Sequence, residues 1–456
     1  MKRRQFIQAA FLAGTMIKNS VSNAASKSPF GPLRADPEKI LDLPKGFNYT
    51  IISEQKKVMS DGLLTPGQAD GMAAFPNKNG NINLVCNHEN HPTSFHNSAF
   101  GNSSKLLDKI DKKLVYDLGK EITPGTGGTT TIEYNPITRS KIRQHLSLSG
   151  TEYNCAGGAT PWGSWLSCEE CFTDPGTSFE REIVVKREKR HGYIFEVDSS
   201  SNKISKPIPL KDMGRFEHEA AAVDPVSGII YLTEDKHRSL LYRFIPNEKG
   251  NLSAGGQLQA LCFSKRESMD TRNWSSQLID QGEWHEAKWI NLDNVDSDKN
   301  DLRLRGFDQG AARFARGEGI CYSDNSVFIT ATIGGSERMG QVFEYRINRE
   351  SNENSIGAAG HIKLLAESTS KSLLQHADNI IMSPWGDLII CEDTYNYCGL
   401  IGISPNGSQY IFADNAYTDS ELCGVCFSPK GDILFVNVQN KGLTLAIHGP
   451  FSNLSS

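Results

Sequence analysis

The sequence predicts an all-β fold: a six-bladed β-propeller with loop insertions. Three observations carry that expectation. A short apolar segment running into a Pro- or Asp-containing turn recurs six times along the chain. Each copy leads into a second run rich in β-branched and aromatic residues. Nothing between the copies reads as a series of long amphipathic helices.

The six copies begin at Asp70 (DGMAAFP), Cys155 (CAGGATP), Glu219 (EAAAVDP), Glu318 (EGICYSD), Asp378 (DNIIMSP) and Cys423 (CGVCFSP). The second runs are NINLVCNHE, SWLSCEE, IIYLTED, SVFITAT, LIICED and ILFVNV. Strand, tight turn and strand is the unit of a β-hairpin. Repetition around a ring leaves few exposed sheet edges, which favours a propeller over an open sheet. Each unit averages roughly 70 residues, well above the ~40–45 of a compact WD40 blade. The excess is expected in loops, and the polar stretches 98–126, 264–310 and 350–370 fit that role. A β-sandwich or solenoid built from similar hairpins is the alternative architecture.

The N-terminus is a different kind of sequence. Arg3 and Arg4 precede Gln5-Phe6-Ile7, an apolar stretch runs from Ala9 to Ile17, and Ser22-Asn23-Ala24 offers small residues for cleavage. This is the layout of a bacterial export signal, and the arginine pair is that of the twin-arginine type. Residues 1–25 are therefore expected to be removed, leaving 26–456 as a single catalytic domain. The expected location is periplasmic or extracellular, with the twin-arginine translocase as a partner during export. No later segment reaches the ~18 uninterrupted apolar residues of a membrane span, so no stable membrane anchor is expected. The formal net charge of -5 lacks a basic footprint, which argues against nucleic acid as a specific partner.

The chain has 10 cysteines, which in an exported protein raises the question of disulfides. Cys168–Cys171 and Cys423–Cys426 have CxxC spacing but stand far apart. Cys262, Cys321, Cys391 and Cys426 lie in apolar runs, where a thiol behaves as a small hydrophobe. One or two disulfides remain open at this level.

The repeat also locates the chemistry. Six residues before each turn stand Asp70, Cys155, Glu219, Glu318, Asp378 and Cys423. In a propeller the innermost strands start at the same end of the central channel, so equivalent positions converge on one axis. Four carboxylates gathered there would repel one another unless cations neutralised them. Glu89, Glu170, Glu234 with Asp235, and Glu392 with Asp393 close the second runs and are further candidates. Glu89, in Asn87-His88-Glu89, is the best placed of these. Carboxylate oxygens suit calcium, magnesium, manganese or ferric iron, whereas a thiolate at Cys155 suits iron or zinc. Histidine is scarce at the ring positions, which argues against a three-histidine zinc site. His88 and His218 each precede a candidate ligand, and strand alternation turns them to the opposite face, where they support the site. Arg316 lies two residues before Glu318, on the same face of an extended segment, where its guanidinium can clamp phosphate oxygens. Arg215 is a weaker second candidate for that role.

These residues, taken together, resemble the PhoX-type alkaline phosphatase family over most of the chain after the signal. The resemblance rests on 87–89 (NHE), 154–171 (NCAGGATPWGSWLSCEEC), 214–225 (GRFEHEAAAVDP), 231–235 (YLTED), 316–319 (RGEG), 378–393 (DNIIMSPWGDLIICED) and 424–437 (GVCFSPKGDILFVN). It implies a phosphomonoesterase site with Fe(3+) and Ca(2+), acting on a small phosphate-ester substrate. It implies that Cys155 is an iron ligand, with Glu219 and Glu318 in the same cluster, and that Arg316 contacts the substrate phosphate. It places Glu89 and Asp378 in the calcium part, and Asp70 joins the metal set from its position in the repeat. The nucleophile it implies is a metal-bound oxygen rather than a side chain. This agrees with the lack of a Ser-His-Asp arrangement or a Gly-rich phosphate loop. The chain is short for the family, which bears on substrate range. Two other readings stay open: a non-catalytic secreted propeller with structural metals, and a calcium-dependent propeller hydrolase acting on a lactone or another ester.

Overall fold

The computed structural model describes residues 28–349, 360–394, 397–417 and 420–451. The expected export signal, 1–25, lies outside them. The described residues form 28 β-strands and one short α-helix, Leu302–Asp308. The fold is an all-β, propeller-like ring.

The first strand of every repeat is an inner strand: Ala69–Pro76, Asn154–Ala159, His218–Val223, Gly317–Ser323, Ala377–Met382 and Leu422–Phe427. Each touches the next, and the last touches the first, so these strands close a ring. Each pairs antiparallel with its second strand: Ile82–His88, Ser164–Glu169, Ile230–Glu234, Ser326–Ala331, Leu388–Glu392 and Ile433–Val438. Apolar residues fill the spaces between neighbouring sheets. Leu232, Tyr242 and Phe216 with Leu166 and Cys168 make one such layer. Val85, Trp165, Tyr193 and Phe195 make another.

The outer strands depart from six like units. The third and fourth repeats merge into one nine-stranded sheet, because Trp284–Asn291 pairs with Gly256–Phe263 on one side and Gly360–Glu367 on the other. Two of the stretches expected as loops therefore contain strands. Gly360–Glu367 alternates buried and less buried positions along its length, with Ile362, Leu364 and Ala366 facing inward. That period of two outweighs its polar composition. The fifth sheet gains Leu41–Pro44 and Leu33–Arg34. The sixth is completed by Asn48–Glu54, which pairs with the C-terminal strand Leu443–His448. A hairpin of Gly176–Glu180 and Ile183–Arg187 stands as its own two-stranded sheet.

Two local features repeat around the ring and aim the site. Every inner strand carries a register irregularity at the same place: between Ala69 and Met72, Asn154 and Gly157, His218 and Ala221, Gly317 and Ile320, Ala377 and Ile380, and Cys423 and Cys426. A bulge there bends the strand and re-aims the side chain at its start. A backbone hydrogen bond also recurs, from the residue after each second strand to the carbonyl two residues before each anchor. The pairs are Glu89 to Gln68, Glu170 to Tyr153, Asp235 to Glu217, Thr332 to Arg316, Asp393 to His376 and Gln439 to Glu421, at 2.9 to 3.2 Å. Second-strand ends are thereby stitched beside first-strand starts. All ten cysteines are free and buried, so the question of disulfides closes in favour of buried thiols.

Candidate metal centre

The chain enters four of the six inner strands through a sharp bend. Gln68, Tyr153, Arg316 and His376, all two residues before an anchor, have φ of 50°, 49°, 56° and 50°. Left-handed backbone is unfavourable for residues with a Cβ. It recurs at four of the six equivalent positions, and Glu217 and Glu421 enter the other two strands without it. The bend turns the residue before each of these four strands and the anchor itself toward the same channel mouth.

There the side chains gather into four overlapping groups, each with donor atoms within 4.8 Å of one another. Cys155, Glu170 and Glu219 form one, and Glu219, Asp235 and Glu318 the next, with Glu219 shared. Asp70, Glu89 and Glu421 form the third, and Asp378, Asp393 and Glu421 the fourth, with Glu421 shared. One arc thus contains sulfur and oxygen donors, and the other oxygen donors alone. All six residues singled out as ligands from the sequence (Asp70, Glu89, Cys155, Glu219, Glu318 and Asp378) sit in these groups. The anchors are deeply buried: Cys155 and Glu318 are 0% exposed and Glu219 is 1%.

Sequence reasoning left Glu170, Asp235 and Asp393 undecided and missed Glu421. In the sixth repeat the anchor thiol, Cys423, instead faces the Ala69 carbonyl at 3.2 Å. Glu421, two residues earlier, takes its place. The signal was present, since the same two-residue step relates Arg316 to Glu318 and strand alternation puts both on one face. Alternation also separates the paired acids. Asp235 and Asp393 reach the mouth, whereas their neighbours are structural. Glu234 accepts from the Tyr242 hydroxyl at 2.7 Å. Glu392 accepts the Gln375 and Gly399 amides, and burial pushes its carboxyl up to about 8.

Charge at the mouth is one-sided. The carboxylates of Asp70, Glu89, Glu170, Glu217, Glu219, Asp235, Glu318, Asp378, Asp393 and Glu421 stand against the side chains of Arg316 and Lys236. Arg316 is held as a fork, with Nε 2.6 Å from Asp235 Oδ1 and Nη2 2.7 Å from Asp235 Oδ2, and Nη2 3.0 Å from Glu318 Oε1. Lys236 Nζ lies 2.8 Å from Glu217 Oε1. Gln439 donates to Asp70 at 2.8 Å and to Glu89 at 2.9 Å. Burial, and then the carboxylates of Glu219 and Glu170, hold the Cys155 thiol well above its ordinary range. A thiol in that setting ionises only beside a strong local positive charge. The donor set therefore fits metal cations, with a softer ion at the Cys155 arc and hard ions at the all-oxygen arc.

A second layer fixes the anchors' backbone. Asn87 donates to the Cys155 and Ala156 carbonyls at 3.2 and 2.7 Å while accepting from Trp165 and Ser167 at 2.8 Å each. Thr233, Thr330 and Asn437 do the same for Glu318, Asp378 and Asp70 at 2.5, 2.7 and 2.5 Å. Each bond runs from one repeat to the anchor of the next. His88 uses both ring nitrogens, on the Gly67 carbonyl and the Thr130 hydroxyl, at 3.0 Å each. Burial pulls it down to about 4. His218 bonds the Gly214 carbonyl and packs on Phe216, and burial pulls it to about 3. Both are neutral supports.

Arg215 is not a phosphate candidate. It is 1% exposed, bonds the carbonyls of His191 and Thr173, and stacks on Phe172 at 3.8 Å. Beside it, Glu152, Cys171 and His191 form a fifth donor group. This one is internally neutralised, with Arg187 Nε 2.8 Å from Glu152 and His191 Nδ1 2.7 Å from Glu169. Burial alone would depress His191, but Glu169 and Glu152 outweigh it and hold the ring up at about 10. Below the mouth the channel widens into a cavity of about 370 Å3, lined by Gly71, Ala156, Gly158, Ala220, Gly319 and Val425 among others. No acidic or basic side chain lines it.

Residues 28–442 match the family described as "Alkaline phosphatase PhoX". The fold is similar to that of Pseudomonas fluorescens PhoX, solved in complex with vanadate, a transition-state analogue. The TM-score is 0.67 at 17% sequence identity, covering 90% of this chain and 96% of that one. A gluconolactonase from Xanthomonas campestris is more distant, with TM-score 0.40 and 10% identity over 93% of this chain and 99% of that one. No curated protein matches the sequence.

Proposed function

Because the chain belongs to the alkaline phosphatase PhoX family, we propose that it hydrolyses phosphate monoesters at the acidic mouth of its central channel. The observation that carries this reading is the Arg316 fork set against Asp235 and Glu318, beside the shared carboxylate of Glu219. A guanidinium next to cation-demanding carboxylates is the charge pattern that phosphoryl transfer requires.

Cys155, Glu170, Glu219, Asp235 and Glu318 would hold the iron part of the cluster, and Asp70, Glu89, Asp378, Asp393 and Glu421 the calcium part. Bound there, such cations supply Lewis acidity and neutralise charge on the phosphoryl oxygens. The protein's own groups do the positioning. Asp235 and Glu318 hold the Arg316 guanidinium at the mouth, from where it would bring its positive charge to the phosphate. Asn87, Thr233, Thr330 and Asn437 keep the anchors from shifting as charge changes. The rigid ring holds the donors in place before substrate arrives. We read the closed ring of six inner strands as six blades, two of them fused through an inserted strand.

Export by the twin-arginine route, to the periplasm or beyond, is part of the proposal and rests on Arg3, Arg4 and the apolar run after them. Among the described residues no helix is long and apolar enough to cross a membrane.

The test is hydrolysis of p-nitrophenyl phosphate by purified protein, with metal content read by elemental analysis before and after chelation. Turnover that falls with loss of iron and calcium is the expected result. No turnover with both metals supplied would sink the reading.

A further inference from the structure

The insertion at 264–310 and the loop 332–340 meet beside Arg316 and build a ledge there. Trp274, from the insertion, donates its indole N–H to the Ile333 carbonyl at 2.7 Å. Gly335 N bonds the Arg272 carbonyl at 2.9 Å, pinning loop to insertion. The guanidinium of Arg338 lies 4.6 Å from the centre of the Trp274 ring, and that of Arg272 lies 4.1 Å from it. His237 approaches the same ring edge-on, with centroids 6.0 Å apart. Arg316 N bonds the Lys236 carbonyl at 2.8 Å, so His237 adjoins the backbone that holds Arg316.

The two arginines differ in what neutralises them. Arg272 is forked onto Asp270, 2.7 Å from Oδ1 and 2.5 Å from Oδ2. Arg338 makes no ion pair among the described residues. It is exposed, and its φ of 57° is a conformation that a non-glycine residue adopts only under constraint. Its neighbour Glu337 is turned away, accepting the Ser370 amide at 2.8 Å. A cation stacked on an aromatic face is held in place while its outer face and N–H groups stay available. An uncompensated charge presented this way, next to a mouth crowded with carboxylates, attracts an anion from outside the cluster.

We propose that Arg338, held on Trp274, forms a subsite for the leaving group, and that it selects phosphate monoesters whose leaving group bears a second anionic group, a carboxylate or another phosphate. The inference rests on the phosphatase reading and names the substrate class of that site. Arg316 engages the phosphate to be cleaved, and Arg338 engages the far end of the same molecule. The ledge comes from loops outside the six inner strands, which is where substrate preference is expected to be written on a shared scaffold.

The test compares 3-phosphoglycerate with glycerol 3-phosphate, which differ in one carboxylate, using the metal-loaded full chain. The measured quantity is the ratio of kcat/KM values, with the ratio of affinities from calorimetry as a second readout. The intact protein should favour 3-phosphoglycerate by about tenfold, as a directly contacted charge pair is worth, and Arg338→Gln should remove most of that preference. Trp274→Leu should weaken it, because the guanidinium loses its platform. A preference absent from the intact protein, or one that survives Arg338→Gln, overturns the subsite. The two readings fail separately. Hydrolysis of both substrates at equal efficiency sinks the ledge alone. Absence of any hydrolysis sinks the phosphatase reading, while the calorimetric ratio still decides whether Arg338 recognises the carboxylate.

Discussion

Arg316 and Asp235 face each other as a two-pronged pair, guanidinium Nε and Nη2 on the two carboxylate oxygens at 2.6 and 2.7 Å. Asp235 belongs to one of the four donor groups at the mouth, so this pair joins the candidate phosphate clamp to the candidate metal shell. Arg316→Ala should leave metal content near that of the parent and lower kcat/KM for p-nitrophenyl phosphate by about 100-fold or more. Arg316→Lys should recover little, since a single ammonium cannot span two oxygens. If Arg316→Ala emptied the cluster, the residue would be structural.

The two arcs should lose metal independently. Cys155→Ala removes the only sulfur among the four groups and should deplete iron while calcium stays. Glu421→Gln weakens the carboxylate shared by two groups and should deplete calcium while iron stays. Elemental analysis of each purified variant reads this directly. Parallel loss of both elements in both variants would mean a single cooperative cluster without division into arcs.

His191 should make the fold sensitive to high pH. Its folded value is raised to about 10 by Glu169 and Glu152, above the ordinary ~6.5 of the unfolded chain. A raised value means that stabilisation is complete below the unfolded value and is lost as pH rises through about 10. Tm should therefore decline between neutral pH and pH 11, and His191→Gln should flatten that decline while lowering Tm at neutral pH. A wild-type slope no steeper than the variant's would remove His191 as the cause.

Asn87 satisfies four buried partners at once, two carbonyls of the Cys155 bulge and two donors from Trp165 and Ser167. Asn87→Ala strands those groups and should cost about 4 kcal/mol or more in urea unfolding, at roughly 1–3 kcal/mol for each of the four polar groups left unpaired in the interior. Asn87→Asp keeps the acceptor but sets a buried carboxylate against the two carbonyl oxygens, and should cost at least as much as the alanine variant.

Gly424 tests how tightly the ring closes. Its φ is 63°, and a Cβ placed there would lie 2.1 Å from the Asp70 carbonyl oxygen. Gly424→Ala should destabilise the protein by more than about 1 kcal/mol, from backbone strain alone. It should also disturb the Asp70 arc, visible as calcium loss, without changing iron.

Much of this was legible in the sequence because a ring converts register into proximity. Asp70 and Glu318 are far apart in the chain, yet both stand six residues before a turn, and that equivalence alone brought them to one mouth. What stayed hidden lay outside the repeat's arithmetic. Glu421 was passed over because Cys423 occupied the anchor position and drew attention from the residue two steps earlier. Choosing between Glu234 and Asp235 required knowing where the second strand ended, and a single residue reverses which of the two faces the channel. The strand Gly360–Glu367 looked like loop because polar residues dominate its exposed face. Arg215 looked like a site residue by sequence context, and only the carbonyls of His191 and Thr173 show that it holds loops together.

The sheet of the sixth repeat is finished by Asn48–Glu54, which precedes the first repeat, pairing with Leu443–His448, which follows the last inner strand. The consequence concerns the order of assembly. Until Leu422–Phe427 meets Ala69–Pro76, the circle is open and Glu421 has no Asp70 beside it. The oxygen-only arc thus exists only once the ring has closed. That donor group is a product of closure, absent from any chain that stops short of its sixth repeat.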